Sequence, residues 1–571
     1  MRASSLRPTS QVFAWRGAIT VVALCLAVAV RANVLPNRGA VASAHPLASE
    51  AGVEILERGG NAFDAAVAVS AALGVVEPYG SGLGGGVFFL LHRASDERDT
   101  IIDGREVAPG AAHEDMYLDG DGNPVPGASL NGPLAAGIPG LPAALVHLAE
   151  NYGRLSLSES LQPAIRYAEE GFPAYQWQLS RVEQRAHIMN GTALEVFLPS
   201  GNLPSEGSLI RQPDLGETLR ALASEGRDGF YRGVVAQKLL DGVQIDGGVW
   251  SAEDLADYRI IEREPLVGTY KEATIVSAPP PSAGGVGLIN MFNMLAGFDL
   301  PVADRVTRTH LLVEIMRRAF RDRTQYLGDP DFINIPLAML LHPFYAAGQR
   351  ANLRIDQATP STSLQGMQPA NAGSGDQTSH FSVLDTDGNI VAATQSINFS
   401  YGSGYMAPRT GVLLNNEMDD FSKKPGVSNG YQLLGSAANS IQPGKRMLSS
   451  MTPTILKTND GVAILGSPGG SQIITMVFLA GVAWIEGADA MEMASRPRFH
   501  HQHFPDRILF ETASLSTDEQ VHLESMGHTL TPNHRTGGNG NLQIVTWDRR
   551  TGSVEAASDP RGIGEPRFFE P

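Results

Sequence analysis

The stretch GSGDQTSHFSVLDTDGNIVAATQSINFS, Gly373–Ser400, changes character at a single residue. Before Thr378 it reads as the end of a flexible polar tract, and after it as a hydroxyl-rich β-hairpin. A threonine hydroxyl becomes a useful nucleophile only when a base takes its proton. His380, two residues on, reads as a structural strand residue and not as that base. Opening of the Gln377–Thr378 peptide bond would supply a better one, because the new α-amine, with a pKa of about 7.7–8.0, lies beside its own hydroxyl. That is the N-terminal-nucleophile arrangement. The competing reading is a threonine that only favours the strand. The turn sets the partner. If Thr386–Gly388 is a three-residue loop with Gly388 in the left-handed region, Thr378 lies opposite Ser396 and their hydroxyls face each other. Asn398 lies just beyond, on the same face.

Other elements must hold that hairpin in place. Downstream of Thr378, short β runs recur in FSVLDTDGNIVAATQSI, GVLLN, TPTILKTNDGVAILG and LQIVTWDRRTGSVEAASD, broken by Asp-Gly, Thr-Gly and Asn-Asp-Gly turns. Upstream the chain is helix-rich. ASEAGVEILERGG and NAFDAAVAVSAALGVV are helical patterns, the second opened by Asn61 with Asp64 in its first turn, so helices are expected before any strand. Gly80–Gly86 then lead into an apolar strand, Val87–Leu91. A dinucleotide fingerprint needs strand, glycines and helix in that order, and here the order is reversed. APPPSAGG, Ala278–Gly285, reads as a rigid turn rather than a hinge. LLVEIMRRAFRDR, Leu311–Arg323, is amphipathic with its charges on one face. Asp356–Gln377 is the longest polar tract and is expected to be exposed and mobile. The whole pattern predicts sheets covered by layers of helix.

The 571 residues, 43% hydrophobic and 18% charged, suffice for a large core. A formal net charge of −17, with the arginines scattered, argues against a nucleic-acid partner. At the N-terminus, Arg2, Arg7 and Arg16 precede the apolar run Gly17–Val30, so residues 1–32 read as an export signal with cleavage near Ala29 or Ala32. The run is shorter than the about 20 residues of a membrane span. A retained anchor is the alternative, and the only way this reading brings the chain to a membrane. The expected location is therefore secreted, periplasmic or on the extracellular face. Cys25, the single cysteine, falls inside this segment, so the mature chain would have neither a disulfide nor a catalytic thiol.

A series of landmarks runs in order along the chain: GGNAFDAAVA, SGLGGGVF, DGREVAP, PPPSAGG, LGDPDF, QTSHFSV, LLNNEMDDFS, PGKRMLSSMTPTI, GSPGGSQII and DPRGIGEP. Through them the chain resembles the γ-glutamyltranspeptidases (γ-glutamyltransferases, glutathione hydrolases) over nearly its whole exported length. The resemblance implies an α+β chain with the N-terminal-nucleophile hydrolase fold, a four-layer αββα sandwich. It also implies autocleavage between Gln377 and Thr378 into a large subunit, 33–377, and a small one, 378–571. The implied reaction needs no cofactor. Glutathione or a related γ-glutamyl compound is cleaved through a threonyl ester, and the glutamyl group passes to water, an amino acid or a dipeptide.

Residue roles follow from the same resemblance. Thr378 matches the nucleophile. Ser396 stands where the family commonly has threonine; the hydroxyl is kept, on a side chain that rotates more freely. Arg105 matches the arginine that binds the substrate's α-carboxylate, supported by Ser449 and Ser450, and a planar guanidinium suits that task. Asn398, Glu417 and Asp420 match the groups that meet the α-ammonium. Gly469 and Gly470 match the oxyanion hole. VAILGSPGGSQIITMVFLA reads as strand, glycine turn and helix, which puts their amides near a helix N-terminus. Lys423–Gly435 matches a lid loop with Tyr431 as its gating aromatic. A glutaryl or cephalosporin acylase of the same fold is the alternative, and it would have little need of Glu417 and Asp420. A catalytically silent surface protein is the rival from another class; intact Thr378, Arg105, Gly469 and Gly470 count against it. HHQH, His500–His503, fits no common metal-ligand spacing, so no metal is expected. Asn190-Gly191-Thr192 and Asn398-Phe399-Ser400 are glycosylation sequons, the second within the expected pocket.

Overall fold

Two antiparallel sheets face each other, and each takes strands from both sides of Thr378. The computed structural model describes residues 33–364, 378–533 and 540–571. Residues 1–32, read above as an export signal, and Gln377 lie outside the described residues, and Val34–Pro571 forms one compact unit. The first sheet has seven strands in the order Glu565–Phe569, Gly39–Ser43, Ser379–Leu384, Ile390–Ser396, Gly86–Arg93, Arg98–Gly104 and Ile261–Arg263. The second has six, in the order Val554–Ser558, Gln543–Asp548, Gly461–Gly466, Thr454–Lys457, Ala273–Ser277 and Leu266–Tyr270. Helices Pro46–Glu57, Ala62–Val76 and Leu141–Tyr152 cover the outer face of the first sheet, and Gly284–Leu295, Ile473–Ile485 and Ala490–Ser495 that of the second. These are the four αββα layers.

The central strands are buried on both faces, so their two-residue alternation selects which apolar layer a side chain joins rather than core against water. Val87, Phe89 and Leu91 pack with the helices, while Phe88 and Leu90 point between the sheets. The hairpin does the same with Phe381, Val383, Val391 and Ala393 on the helix side. Its hydroxyls are buried and each finds a partner. His380 Nδ1 meets Thr394 Oγ1 at 2.8 Å, Ser382 Oγ donates to Gln543 O at 3.0 Å across the sheets, and Ser379 Oγ donates to Glu77 Oε2 at 2.5 Å. Burial pushes His380 down to about 3, so it is a neutral strand residue, as its position suggested.

Three sequence expectations are corrected. A strand, Gly39–Ser43, precedes the first helix; its small residues GAVAS are buried on both faces and carry no alternation to reveal it. GVLLN forms only isolated bridges, through Leu413 and Leu414, because it crosses the glycine-rich loop at Gly84 instead of joining a sheet. The charged face of Leu311–Arg323 is buried, with Glu314 paired to Arg318 at 2.6 Å and to Arg317 at 3.2 Å. Within the described part of the polar tract, Asp356, Gln357, Pro360, Thr362 and Ser363 are exposed as expected, while Ser361 is buried and its amide donates to Asp506 at 2.7 Å. APPPSAGG is a rigid buried turn as expected, with the Ser449 amide donating to Pro281 O at 2.8 Å.

The hairpin turn is clamped by Asp385. Its buried carboxylate accepts from the amides of Asp387 (3.0 Å) and Asn389 (2.9 Å), from Asn389 Nδ2 (2.8 Å) and from the Ala62 amide at the next helix (2.9 Å). Asp385→Ala orphans these donors and is expected to lower the unfolding free energy by about 2–4 kcal/mol. Urea denaturation would measure it, and a loss below about 1 kcal/mol would mean the clamp does not hold the turn.

Candidate active site

The register read from the turn is the one observed: Ile390 pairs with Leu384 and Gln395 with Ser379, so Ser396 lies opposite Thr378. Gly388 has φ 87° and the loop closes through Asp385 and Asn389. Thr378 Oγ1 and Ser396 Oγ are 3.4 Å apart. The Asn398 amide donates to Ser396 Oγ at 2.8 Å, which leaves the serine proton free to turn toward Thr378. Asn398 holds φ 74°, a left-handed residue at the point where the strand ends, and its Nδ2 donates to Asn416 O at 2.9 Å.

Glycines bring the neighbouring loops this close. A Cβ on Gly85 would run into Ser396 O, and one on Gly86 into the Glu106 carboxyl. The run SGLGGGVF is therefore a close-approach device rather than a phosphate cradle. On the other sheet, Gly461–Gly466 runs into a turn at Gly469 and Gly470, then into helix Ile473–Ile485. Gly469 has φ 132° and Gly470 φ 55°. The amides of both glycines donate to no acceptor among the described residues.

Thr378, Ser396, Asn398, Arg105, Glu417, Asp420, Tyr431, Ser449, Ser450 and Gly470 line one cavity, together with Met451 and Ile473. Gly469 stands behind Gly470, against Met476, and does not line it. The cavity measures about 20 Å³, room for little more than one water. A larger ligand enters only if the walls part.

Charge dominates those walls. Arg105, 1% exposed, reaches Glu417 Oε2 at 2.8 Å, Asp420 Oδ2 at 2.6 Å and Glu106 Oε2 at 3.3 Å, and its Nε donates to Met447 O at 3.2 Å. Burial opposes its charge, but Glu417, Glu106 and Asp420 outweigh burial and raise its pKa. Burial pushes Glu417 up to about 7 and Asp420 up to about 8, the latter helped by repulsion from Glu417. Glu417 Oε1 is buried without a donor among the described residues.

The lid is shut. Tyr431 stacks on Phe399 with ring centroids 4.6 Å apart, its hydroxyl donates to Asn398 O at 3.0 Å, and its ring lies over Gly470, where an added Cβ would strike it. Asn429 ties the loop together by accepting from the amides of Tyr431 (3.0 Å) and Leu433 (3.1 Å). The Gly430 amide donates to Asp419 at 2.7 Å.

Comparison with known proteins agrees with this geometry. The family described as Gamma-glutamyltranspeptidase matches residues 48–569. The chain belongs to the gamma-glutamyltranspeptidase family. A glutathione hydrolase proenzyme of Pseudomonas sp. (strain A14) is 42% identical over 510 residues, 87% of this chain and 88% of that protein. The glutathione hydrolase proenzyme of Escherichia coli (strain K12) is 38% identical over 543 residues, 93% of this chain and 92% of its own. Among solved structures, cephalosporin acylase from Bacillus halodurans superposes with a TM-score of 0.81 at 27% identity, over 99% of both chains. Helicobacter pylori gamma-glutamyltranspeptidase gives a TM-score of 0.55 at 37% identity, over 57% of this chain and 94% of that one. The fold is that of the N-terminal-nucleophile hydrolases, and this transpeptidase-family chain is an enzyme.

Sequence reasoning about the transpeptidase pocket missed several side chains that shape it. Glu106 follows Arg105 directly, and neighbours in an extended segment are expected on opposite faces; the turn after Gly104 instead folds both inward. Glu77 backs the nucleophile strand, holding Ser379 and accepting from Tyr79 at 3.0 Å, with burial pushing it up to about 7. Arg323, buried near Asp420 and Arg105, is lowered to about 10 by burial. None of the three has a spacing that announces it. The HHQH rings do not converge: His500 meets Thr475 and Gln502, His501 meets Asp506, and His503 meets Ser361 O. The cluster that does gather, His310, Glu314 and His528, has His310 Nδ1 bonded to His528 Nε2 at 2.7 Å, and Arg317 and Arg318 on the carboxylate. Two guanidiniums there oppose a metal cation. Asn190 caps helix Gly191–Phe197, and both ends of its amide also bond Met406, so a glycan would have to break them.

The raised carboxyls carry a sign. Glu417 and Asp420 would ionise near 4.5 and 3.8 without the fold but near about 7 and about 8 within it. Between those limits the folded chain binds more protons than the unfolded one, so these groups make stability fall as pH rises. Glu417→Gln and Asp420→Asn remove that dependence. Their Tm, relative to the unaltered chain, is expected to climb from pH 5 to pH 8. A difference that stays flat across that range would mean both carboxyls ionise normally.

Proposed function

We propose that this chain is an exported γ-glutamyltransferase and hydrolase that acts on glutathione and related γ-glutamyl amides. The observation that carries this is one cavity lined both by Thr378 and by the charge cluster of Arg105, Glu417 and Asp420. An α-amino acid head carries a carboxylate and an ammonium on one carbon, and that cluster offers both countercharges within hydrogen-bond reach of each other. The glutamyl carboxylate takes Arg105, supported by Ser449 and Ser450. The ammonium takes Glu417, Asp420 and Asn398. The side-chain amide then extends toward Thr378.

Maturation breaks the Gln377–Thr378 bond and leaves the α-amine of Thr378 beside its own hydroxyl. With a pKa of about 7.7–8.0, that amine takes the proton as the oxygen attacks the γ-carbonyl. The Gly469 and Gly470 amides hold the oxyanion, and Ser396 steadies the attacking oxygen. The adduct then collapses, its C–N bond breaks, and the departing amine takes the proton back from the α-amine of Thr378, leaving the glutamyl ester; water or the amine of an amino acid or dipeptide attacks that ester and frees the Thr378 hydroxyl. The interleaved strands from either side of residue 378 support a heterodimer that stays together after the cut. The apolar run after Arg16 supports export; among the described residues no helix is long and apolar enough to cross a membrane.

The test is release of a γ-glutamyl anilide with and without a dipeptide acceptor, beside a denaturing gel. Two bands, and release that quickens with acceptor, are expected; Thr378→Ala should give one band and no release. Ser396→Ala is expected to lower kcat/KM about 10- to 100-fold, the worth of one hydrogen bond to a reacting oxygen. A single band from the unaltered chain sinks the mechanism. Turnover of a glutaryl amide, which has no ammonium, in preference to the γ-glutamyl one would favour the acylase reading instead.

A further inference from the structure

The HHQH segment takes no part in the proposed chemistry, yet its glutamine touches two of the moving or reacting parts. Gln502 Nε2 donates to Tyr431 O at 3.0 Å and to Phe504 O at 3.2 Å. Carbonyl oxygens only accept, so the amide nitrogen must face them and Oε1 must face the other way. There it lies 2.7 Å from Ser471 Oγ and 2.9 Å from His500 Nε2, both of which must donate. His500 therefore carries its proton on Nε2, and its Nδ1 accepts from Thr475 Oγ1 at 2.8 Å. Burial lowers His500 to about 4, which keeps the ring neutral. Every hydrogen-bonding position of the Gln502 amide is used.

Those partners have distinct jobs. Tyr431 is the lid aromatic lying on Gly470, Ser471 follows Gly470 directly, and Thr475 is in the first turn of the helix that the glycine turn opens. One amide thus spans lid, glycine turn and helix. We propose that Gln502 is a positioning residue that locks the closed lid to the glycine turn, so that the Gly469–Gly470 amides keep their aim while the lid is shut. Its effect on turnover rests on the function proposed above; its effect on the lid does not.

Two variants separate the parts. Gln502→Leu removes all four bonds at similar volume, whereas Gln502→Glu keeps the acceptor for Ser471 and His500 but loses both donors to the carbonyls. Chymotrypsin cleavage after Tyr431, measured without substrate, is expected to rise about tenfold in both variants, the scale of one or two lost hydrogen bonds. In anilide assays both should send a different share of the glutamyl group to water against a dipeptide acceptor, and only Gln502→Leu should also lower kcat about tenfold. On a Tyr431→Ala background, Gln502→Glu should leave that partition unchanged. Cleavage equal to the unaltered chain overturns the proposal. So does a variant whose Tm or active fraction falls while the partition stays the same. If the unaltered chain releases no anilide, the proposed function fails and the proteolysis still decides the lid contact.

Discussion

The pairing of Ser379–Leu384 with Ile390–Ser396 is the constraint on which the site depends. An antiparallel register has no intermediate setting: a slip of one residue would turn every side chain to the opposite face. Here that would carry Thr378 and Ser396 from the gap between the sheets to the helix side. Asp385 fixes the register from the turn, and it also reaches the Ala62 amide, so the helix over the sheet and the loop of the hairpin are held by one carboxylate. The hairpin is central in its sheet, flanked by Gly39–Ser43 and Gly86–Arg93. Its hydroxyls are tolerable in that position because each is satisfied by a neighbour across a strand or across the sheets.

The second constraint is electrostatic. A guanidinium at 1% exposure is costly to keep unless it is paired and hydrogen-bonded on all sides. Arg105 meets that condition only by gathering Glu106, Glu417 and Asp420, and the gathering raises the carboxyl pKa values in turn. Stability alone does not account for such a cluster, since a buried ion pair is often replaceable by apolar side chains at no loss. The zwitterionic ligand of the proposed function would account for it.

Legibility followed periodicity and turn chemistry. The turn Thr386–Gly388 contained the hairpin register, the cap at Asn61 contained the helix start, and GSPGG between an apolar strand and an apolar helix contained the glycine turn. What could not be read lacked a period. Gly39–Ser43 is a strand made by its neighbours, since small residues buried on both faces show no alternation. Glu106 pairs with the adjacent Arg105 inside a cluster completed by Glu417 and Asp420, and Gln502 reaches Tyr431 71 residues away, so nothing local distinguishes them from surface polar residues. The burial of the Glu314, Arg317 and Arg318 face was hidden for a related reason: a helix with charges on one side looks solvated until the opposing layer, here Ser361 and Asp506, is known.

The cavity of about 20 Å³ is smaller than an amino acid head, but the bonding along its walls is the kind that binding can exchange. Under the proposed function, the carboxylate of an entering zwitterionic head would replace Glu417 and Asp420 on Arg105, and its ammonium would replace Arg105 on those carboxyls. Each buried charge trades one partner for another of the same sign, and none has to be dehydrated afresh at that moment. The main new costs are opening the lid and dehydrating the ligand. The first is opposed by the Phe399 stack, the Tyr431 hydroxyl on Asn398 O, Gln502 on Tyr431 O, the Gly430 amide on Asp419 and Arg507 on Gln432. A ligand without the ammonium would leave Glu417 and Asp420 facing each other with Arg105 withdrawn. Under the proposed function, a cluster suited to an α-amino acid head would disfavour a plain dicarboxylic one, and selectivity would come as much from that repulsion as from attraction.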